Sequence, residues 1–345
     1  MTADGGNRRE LSFRGYRPGD EKQILDLFSR AFPGKRRSLR EWRWRYVDNP
    51  GGEPTMGLGF HADGTLVAHY AALPLRGRFL GRPYTLAQPV DAMSHPGYRG
   101  LRVGPGGLFL RAARQAFLDH TGPGNVELGY GFPGKRHQTL GARTLGYVPL
   151  GSPVRWARPL PYVPLPPLDP VERGDRVGGV RRVRRFGAEA DGLWERVRGQ
   201  YPTGVIRDRA YLDWRYSRHP TRRYRTLALQ APRGDWEGWV VASRTGSRLQ
   251  LVDMLLPALE DGGHAAGPRR LLEEALAWGS RQGLGWCETW MPPGGPGKQA
   301  LVEMGFRRCR DEGFTTLVAR AFVETIDLKA FRDTFYFQMG DWDVY

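Results

Sequence analysis

The chain has 345 residues, of which 26% are charged, and a formal net charge of +16. That length admits two ordinary domains, each able to bury its own core, and no apolar run approaches the length of a membrane span. Two cysteines, Cys287 and Cys309, exclude a disulfide framework and fit no metal spacing, and only five of the 52 basic residues are lysine, with the arginines spread along the chain.

Such scattered arginine reads as a general surface cation, so nucleic acid is not an expected partner, although part of the charge could serve an anionic cofactor. Met1 to Glu10 is polar and lacks the apolar core of a signal peptide, so it is expected to be a short disordered lead. With so few cysteines, the expected compartment is the reducing cytoplasm.

A strand is predicted over Leu11 to Tyr16, then an amphipathic helix marked by Ile24, Leu25, Leu27 and Phe28. A second helix carries Trp44-Arg45-Tyr46 and ends before Pro50, which blocks its continuation. Met56 to His61 and Leu66 to Leu73 form a hairpin around Asp63-Gly64, and a further strand contains Val90-Asp91-Ala92-Met93. A helix opened by Pro105 presents Leu108, Phe109, Ala112, Ala113, Ala116 and Phe117 on one face. A strand from Glu127 to Tyr130, a Pro/Gly turn, a helix and a Leu145-Gly146-Tyr147 stop follow. A proline-rich linker begins at Pro159 and is expected to be extended.

The second half echoes the first. A strand, Val180 to Phe186, precedes a helix with Leu193, Trp194 and Val197, and Trp214-Arg215-Tyr216 again ends before a proline, Pro220. Strands at Tyr224 to Gln230 and Gly238 to Ser243 lead to Val252-Asp253-Met254-Leu255. A helix opened by Pro268 carries Leu271, Leu272, Ala275, Leu276 and Trp278, and Trp286 to Trp290 and the stop Met304-Gly305-Phe306 complete the parallel. Closing strands near Val148 to Arg158 and Phe314 to Ala319 are expected to end the respective units. A repeat this long implies duplication of a domain rather than a solenoid. The expected division is a first domain at 1–158, a linker at 159–176, a second domain at 177–322 and an aromatic tail at 323–345. The tail is too aromatic for disorder and could add a strand or line a cleft; its Asp341 and Asp343 could recognise a cationic acceptor.

The chemistry concentrates after Met93. A strand, a glycine-rich turn (Arg99-Gly100-Leu101-Arg102-Val103-Gly104) and a helix N-terminus make an anion site, because glycines let the backbone approach and the free amides of the first helical turn point at phosphate oxygens. The same segment of the second half, between Leu256 and Pro268, holds Glu260 and Asp261 and no arginine, and those carboxylates would repel a pyrophosphate.

The order of elements, the segment His95-Pro96-Gly97-Tyr98-Arg99-Gly100 and the stop Leu145-Gly146-Tyr147 together resemble the GNAT acetyltransferases. That family carries an Arg/Gln-x-x-Gly-x-Gly/Ala turn between its fourth strand and third helix; Arg99, Val103 and Gly104 fit it, and Arg102 replaces the middle glycine. The resemblance implies two tandem GNAT-like α/β domains, each a mixed, mostly antiparallel twisted sheet flanked by helices, the second a degenerate copy. It implies that Arg99, Gly100, Leu101, Arg102, Val103 and Gly104 hold the pyrophosphate of acetyl-CoA or another acyl-CoA. Met93 and Ser94 would pair with its pantetheine, and no metal would be needed. The reaction implied is direct transfer of an acyl group to the primary amine of a small molecule.

Such a transfer needs a proton acceptor for the amine and benefits from a proton donor to the thiolate. Asp91 is a candidate base, although its counterpart Asp253 favours a shared structural role, and Glu127 and Tyr130 are comparable candidates. The tyrosine acid common in the family is replaced by Ala142, and by Leu301 in the second copy, which leaves Tyr130, Tyr147, solvent, His69, His95 or His137. An aminoacyl or other acyl transferase of related fold, and a binding module that has lost turnover, are the alternative functions.

Overall fold

The computed structural model describes residues 11–99, 107–162, 179–256, 266–309 and 315–344. The expected N-terminal lead, most of the linker and the turn from Gly100 to Pro105 lie outside them.

The first half contains β1 (Leu11–Arg14), α1 (Glu21–Ala31), α2 (Leu39–Tyr46), β2 (Thr55–His61), β3 (Leu66–Phe79), β4 (Arg82–Ser94), α3 (Gly107–His120), β5 (Leu128–Gly131), α4 (Lys135–Thr144) and β6 (Val148–Gly151). Helix α1 buries Ile24, Leu27 and Phe28, three positions on one helical face. Ser38 caps α2 by accepting from the Glu41 amide. β3 runs six residues past the expected Leu73. It then reverses through Leu80 and Gly81, whose φ angles of 49° and 83° match the two-residue turn that suits twisted hairpins. Leu108, Ala112, Ala113 and Ala116 of α3 pack on Val67 and Tyr70 of β3.

The second half contains β7 (Arg155–Pro159), β8 (Gly179–Val183), α5 (Ala188–Val197), β9 (Thr203–Val205) and α6 (Arg209–Leu212), which passes into a single π-helical turn at Asp213–Ser217. It continues with β10 (Arg225–Gln230), β11 (Trp236–Thr245), β12 (Arg248–Leu255), α7 (Ala266–Arg281), β13 (Trp286–Trp290), α8 (Lys298–Glu303), β14 (Arg307–Arg308), β15 (Leu317–Ala321), α9 (Leu328–Thr334) and β16 (Phe335–Tyr336).

Two mostly antiparallel sheets result, and their orders correspond strand for strand. One runs β1-β2-β3-β4-β5-β15-β6 and the other β8-β10-β11-β12-β13-β7-β14. The sixth position is exchanged: β15, from the end of the chain, enters the first sheet, and β7 enters the second. The two compact units are accordingly 1–77, 83–151 and 315–330 in the first, and 78–82, 152–314 and 331–345 in the second. This corrects the expected division at residue 158 and the expectation that each unit is closed by its own last strand. β15 pairs antiparallel with both β5 (Val318↔Gly131, Ala319↔Tyr130) and β6 (Ala319↔Val148), and β7 pairs with β13 and β14 in the same way. The expected tail is also divided, at Ala330.

Within the second unit the end of the chain adds a strand, β16, parallel to β9. It then lies where β12 and β13 part. Those strands pair in parallel from Arg248↔Trp286 to Leu251↔Thr289. Beyond that point the Tyr336 hydroxyl donates to the Met254 carbonyl at 2.8 Å, and Trp342 stacks on Trp290 with centroids 5.7 Å apart. Gly340 fits because a Cβ there would stand 2.0 Å from the Tyr216 hydroxyl. Asp341 is 2% exposed and bonds Arg207 at 2.6 Å, so it is committed to the fold rather than to a cationic acceptor.

Burial pushes the Asp341 carboxyl up to about 6 against the pull of Arg207. An acid whose folded pKa exceeds its unfolded value binds its proton more readily when folded. Its contribution to stability therefore declines as the pH rises from about 4 to about 6. Asp341→Asn should remove that decline: urea midpoints at pH 4.5 and 6.5 should lie closer together in the variant than in the parent.

Candidate active site

In the first unit β4 and β5 pair in parallel only at Leu86↔Leu128 and Ala87↔Gly129. Past Ala87 the pairing stops at Pro89, which has no N–H to donate and still lies beside Gly131, and the unpaired stretch beyond, from Val90 to Ser94 on β4, forms one side of a wedge whose other side is the end of β5. Gly129 marks its apex, where a Cβ would stand 2.8 Å from the Tyr147 hydroxyl. That hydroxyl is 3.3 Å from the Tyr70 hydroxyl, and burial pushes its pKa up to about 12.

Met93, buried, and Ser94, half-buried, close β4. The chain then caps a short 3-10 turn with the ring of His95, whose Nδ1 accepts from the Gly97 amide at 3.2 Å. Arg99 follows as an exposed residue. Gly100, Leu101, Arg102, Val103 and Gly104 lie outside the described residues, and α3 begins three residues later. Met93, Ser94 and Arg99 thus lie on the described stretch that leaves β4.

Asp91 is held differently from a free base. Its backbone has φ 49°, a strained value for aspartate, and its carboxylate pairs with Arg37 Nη1 and accepts from the Tyr46 hydroxyl at 2.5 Å. Burial opposes its charge, but Arg45 and Arg37 together with these bonds bring the carboxyl down to about 2. A base that weak takes a proton poorly near neutral pH. Asp253 repeats the arrangement in the second unit, where Arg207 Nε reaches Oδ1 at 3.0 Å and the Tyr216 hydroxyl reaches Oδ2 at 2.7 Å. The two sequence echoes are therefore halves of one device: the tyrosine of Trp-Arg-Tyr bonds the aspartate of the strand. A third member went unread, because Arg37 precedes Tyr46 by the same spacing that separates Arg207 from Tyr216, each followed by a capping side chain, Ser38 or Asp208.

Glu127 lies at the closed end of the β4–β5 pair, with its carboxylate bound to the Thr85 amide at 3.1 Å, away from the wedge. Tyr130 is buried on the open stretch of β5, with its ring edge-on to Phe132 at 6.3 Å. Ala142 is exposed on α4.

A different group stands beside Asp91, on the β3 side of β4. His69 on β3 is fully buried, and its Nδ1 lies 2.8 Å from the Asp91 carbonyl oxygen. A carbonyl can only accept, so Nδ1 carries the proton and Nε2 keeps its lone pair. Nε2 has no hydrogen-bond partner among the described residues. Burial lowers the pKa of His69, so the ring is neutral at pH 7. Nothing local in the sequence marks His69; only the adjacency of β3 and β4 exposes its role.

Residues 12–134 match the family model for the acetyltransferase (GNAT) domain. This segment is a GNAT domain. Three solved structures share the fold over most of the chain. A GCN5-related N-acetyltransferase from Kribbella flavida superposes with a TM-score of 0.61 at 15% identity, over 90% of this chain and 71% of that one. A protein of Enterococcus faecalis V583 described as a probable N-acyltransferase gives 0.59 at 16%, over 93% and 74%. Saccharomyces cerevisiae N-myristoyltransferase, solved with myristoyl-CoA, gives 0.55 at 11%, over 93% and 82%. At these identities the likeness is one of fold. Among curated proteins none matches the sequence. Among the described residues no cluster of His, Cys, Asp and Glu could hold a metal ion, and no helix is long and apolar enough to cross a membrane.

Proposed function

We propose that the first unit transfers an acyl group from acyl-CoA to the primary amine of a small molecule. The observation that carries this reading is the wedge between β4 and β5, which opens beside a strand end leading directly into a basic, glycine-rich turn and a helix N-terminus. The free edge of β4 at Met93 and Ser94 would pair with the pantetheine. Arg99, Gly100, Leu101, Arg102, Val103 and Gly104 would hold the pyrophosphate through backbone amides and guanidinium charge. The thioester supplies the acyl group, and the amine attacks its carbonyl carbon as the C–S bond breaks.

In place of the carboxylate of Asp91 or of Glu127, we assign the amine's proton to Nε2 of His69. Its neutral state, its oriented tautomer and its lack of a partner support that role. Asp91 would then act through its carbonyl, fixing the ring, while its carboxylate anchors α2. Tyr130, on the open stretch of β5, remains the candidate donor to the departing thiolate.

The second unit's wedge is lined by the chain's own end, so one acyl-CoA per chain is expected. Calorimetry with acetyl-CoA tests that stoichiometry. His69→Gln should lower kcat about 10²–10⁴-fold, the usual worth of a general base, with acetyl-CoA affinity within twofold. Because the pKa of His69 is lowered, the acid limb of the parent's kcat/KM profile should fall below the ordinary histidine value of about 6.5. If His69→Gln keeps its kcat, the proton goes elsewhere. If acetyl-CoA does not bind the parent at all, the reading as an acyltransferase fails. Binding without acylation of any amine would make the fold a binding module.

A further inference from the structure

The second unit holds a cavity of about 530 Å³ into which five arginines converge: Arg182, Arg222, Arg223, Arg225 and Arg244. They are scattered in sequence but gathered by strand register. Arg182 of β8 stands opposite Leu227, two residues from Arg225 on β10, so both side chains share a sheet face. Arg225 stands opposite Ala242 of β11, and Arg244 lies two residues beyond on the same face. Helix α7 packs its apolar stripe over Leu227 and Leu229, and near its C-terminal end Trp278 carries the Arg225 guanidinium 5.2 Å from its ring centroid.

Elsewhere in this chain arginines meet carboxylates: Arg155 and Arg248 share Glu288, and Arg14 grips Asp20. The five here form no ion pair among the described residues, and the buried Nε of Arg225 has no hydrogen-bond partner among them. Burial and the charges of Arg182 and Arg281 both weaken the protonated state of Arg225. Glu274 opposes them, but it is already bound to Arg281 at 2.9 Å. Converging cations without counter-charge repel one another, and an anion placed among them removes that cost.

We propose that this cavity is a binding site for a small anionic ligand carrying at least two phosphate groups. Guanidinium groups engage phosphate oxygens in pairs, so five of them exceed what a single phosphate can use. A cavity of this size matches a small molecule, and the five arginines line one cavity rather than a track, which sets it apart from a nucleic-acid surface.

Inorganic pyrophosphate serves as the probe, titrated calorimetrically into the full chain and into Arg222→Ser/Arg244→Ser at low ionic strength. Pyrophosphate should bind the parent at least tenfold more tightly than orthophosphate or acetate does. The double variant should lose at least tenfold in pyrophosphate affinity while keeping its thermal midpoint and its affinity for acetyl-CoA. The single variant Arg223→Ser, at an exposed position, gives a smaller loss in the same direction and guards against misfolding of the pair. Equal pyrophosphate affinity in parent and variants overturns the proposal. So does a twelve-nucleotide RNA that binds the parent more tightly than pyrophosphate and is not displaced by it.

Discussion

A chain ending at Gly313 is expected to lose the cooperative fold of its first unit, although every residue of the GNAT-model segment 12–134 is still present. The removed residues include β15, whose Leu317, Val318 and Ala319 are buried and whose backbone bonds both β5 and β6. Burial of a Leu or Val side chain contributes about 1.5–3 kcal/mol. Exposing the β5 edge, the inner face of β6 and these apolar contacts together removes an amount comparable with the roughly 5–15 kcal/mol that holds an ordinary domain. A chain ending at Ala330 is the contrast: it keeps β15 and loses β16 and the segment that follows. Calorimetric melts should show the first-unit transition in the longer chain and not in the shorter, and acetyl-CoA should bind only the longer. A shorter chain that melts cooperatively and binds acetyl-CoA within twofold of the parent would show β15 to be dispensable.

Arg207→Met should cost the second unit about 3–5 kcal/mol, because breaking a buried ion pair leaves its partner charge without compensation. Arg207 is 1% exposed and holds two carboxylates, Asp253 at 3.0 Å and Asp341 at 2.6 Å, both on side chains with no exposure. Without the guanidinium two anions would face each other away from water. The counterpart Arg37→Met should cost less, since Arg37 lies nearer solvent and anchors one buried aspartate, Asp91, together with a weaker contact to Glu41 at 3.4 Å. Arg207→Met/Asp253→Asn/Asp341→Asn should recover most of the loss, since it removes the uncompensated charges along with the pair. Urea melts read all three. An Arg207→Met midpoint equivalent to less than about 1 kcal/mol from the parent would contradict the burial on which the estimate rests.

Much of this was legible in the residues. The apolar faces of α1, α3 and α7, the Trp-Arg-Tyr helices and the two Val-Asp strands follow local periodicity, which a sequence displays directly. The exchange of β7 and β15 was not legible, because a short apolar strand carries no mark of which sheet it joins and the two candidate slots are equivalent. The state of Asp91 was half legible. Its repetition as Asp253 pointed to structure, but the arginine and tyrosine that hold its carboxylate come from 54 and 45 residues away. His69 and the five-arginine cavity are products of strand adjacency and register, and an even spread of arginine along the chain concealed the latter. The glycine-rich turn itself rests on its sequence and on the described residues that flank it.

The traded strands also bear on inheritance. One half of a duplicated chain would ordinarily be free to erode and disappear. Here a deletion that discards the second half takes with it the strand that completes the first sheet, so the two units must be kept or lost together. Synthesis is bound by the same rule. About 165 residues separate Gly151 from Leu317, so at translation speeds of roughly 5–20 residues per second the first sheet waits on the order of ten to thirty seconds for its missing strand. During that interval the edges of β5 and β6 stand open, which makes the nascent chain a natural client for a chaperone that shields unpaired strands.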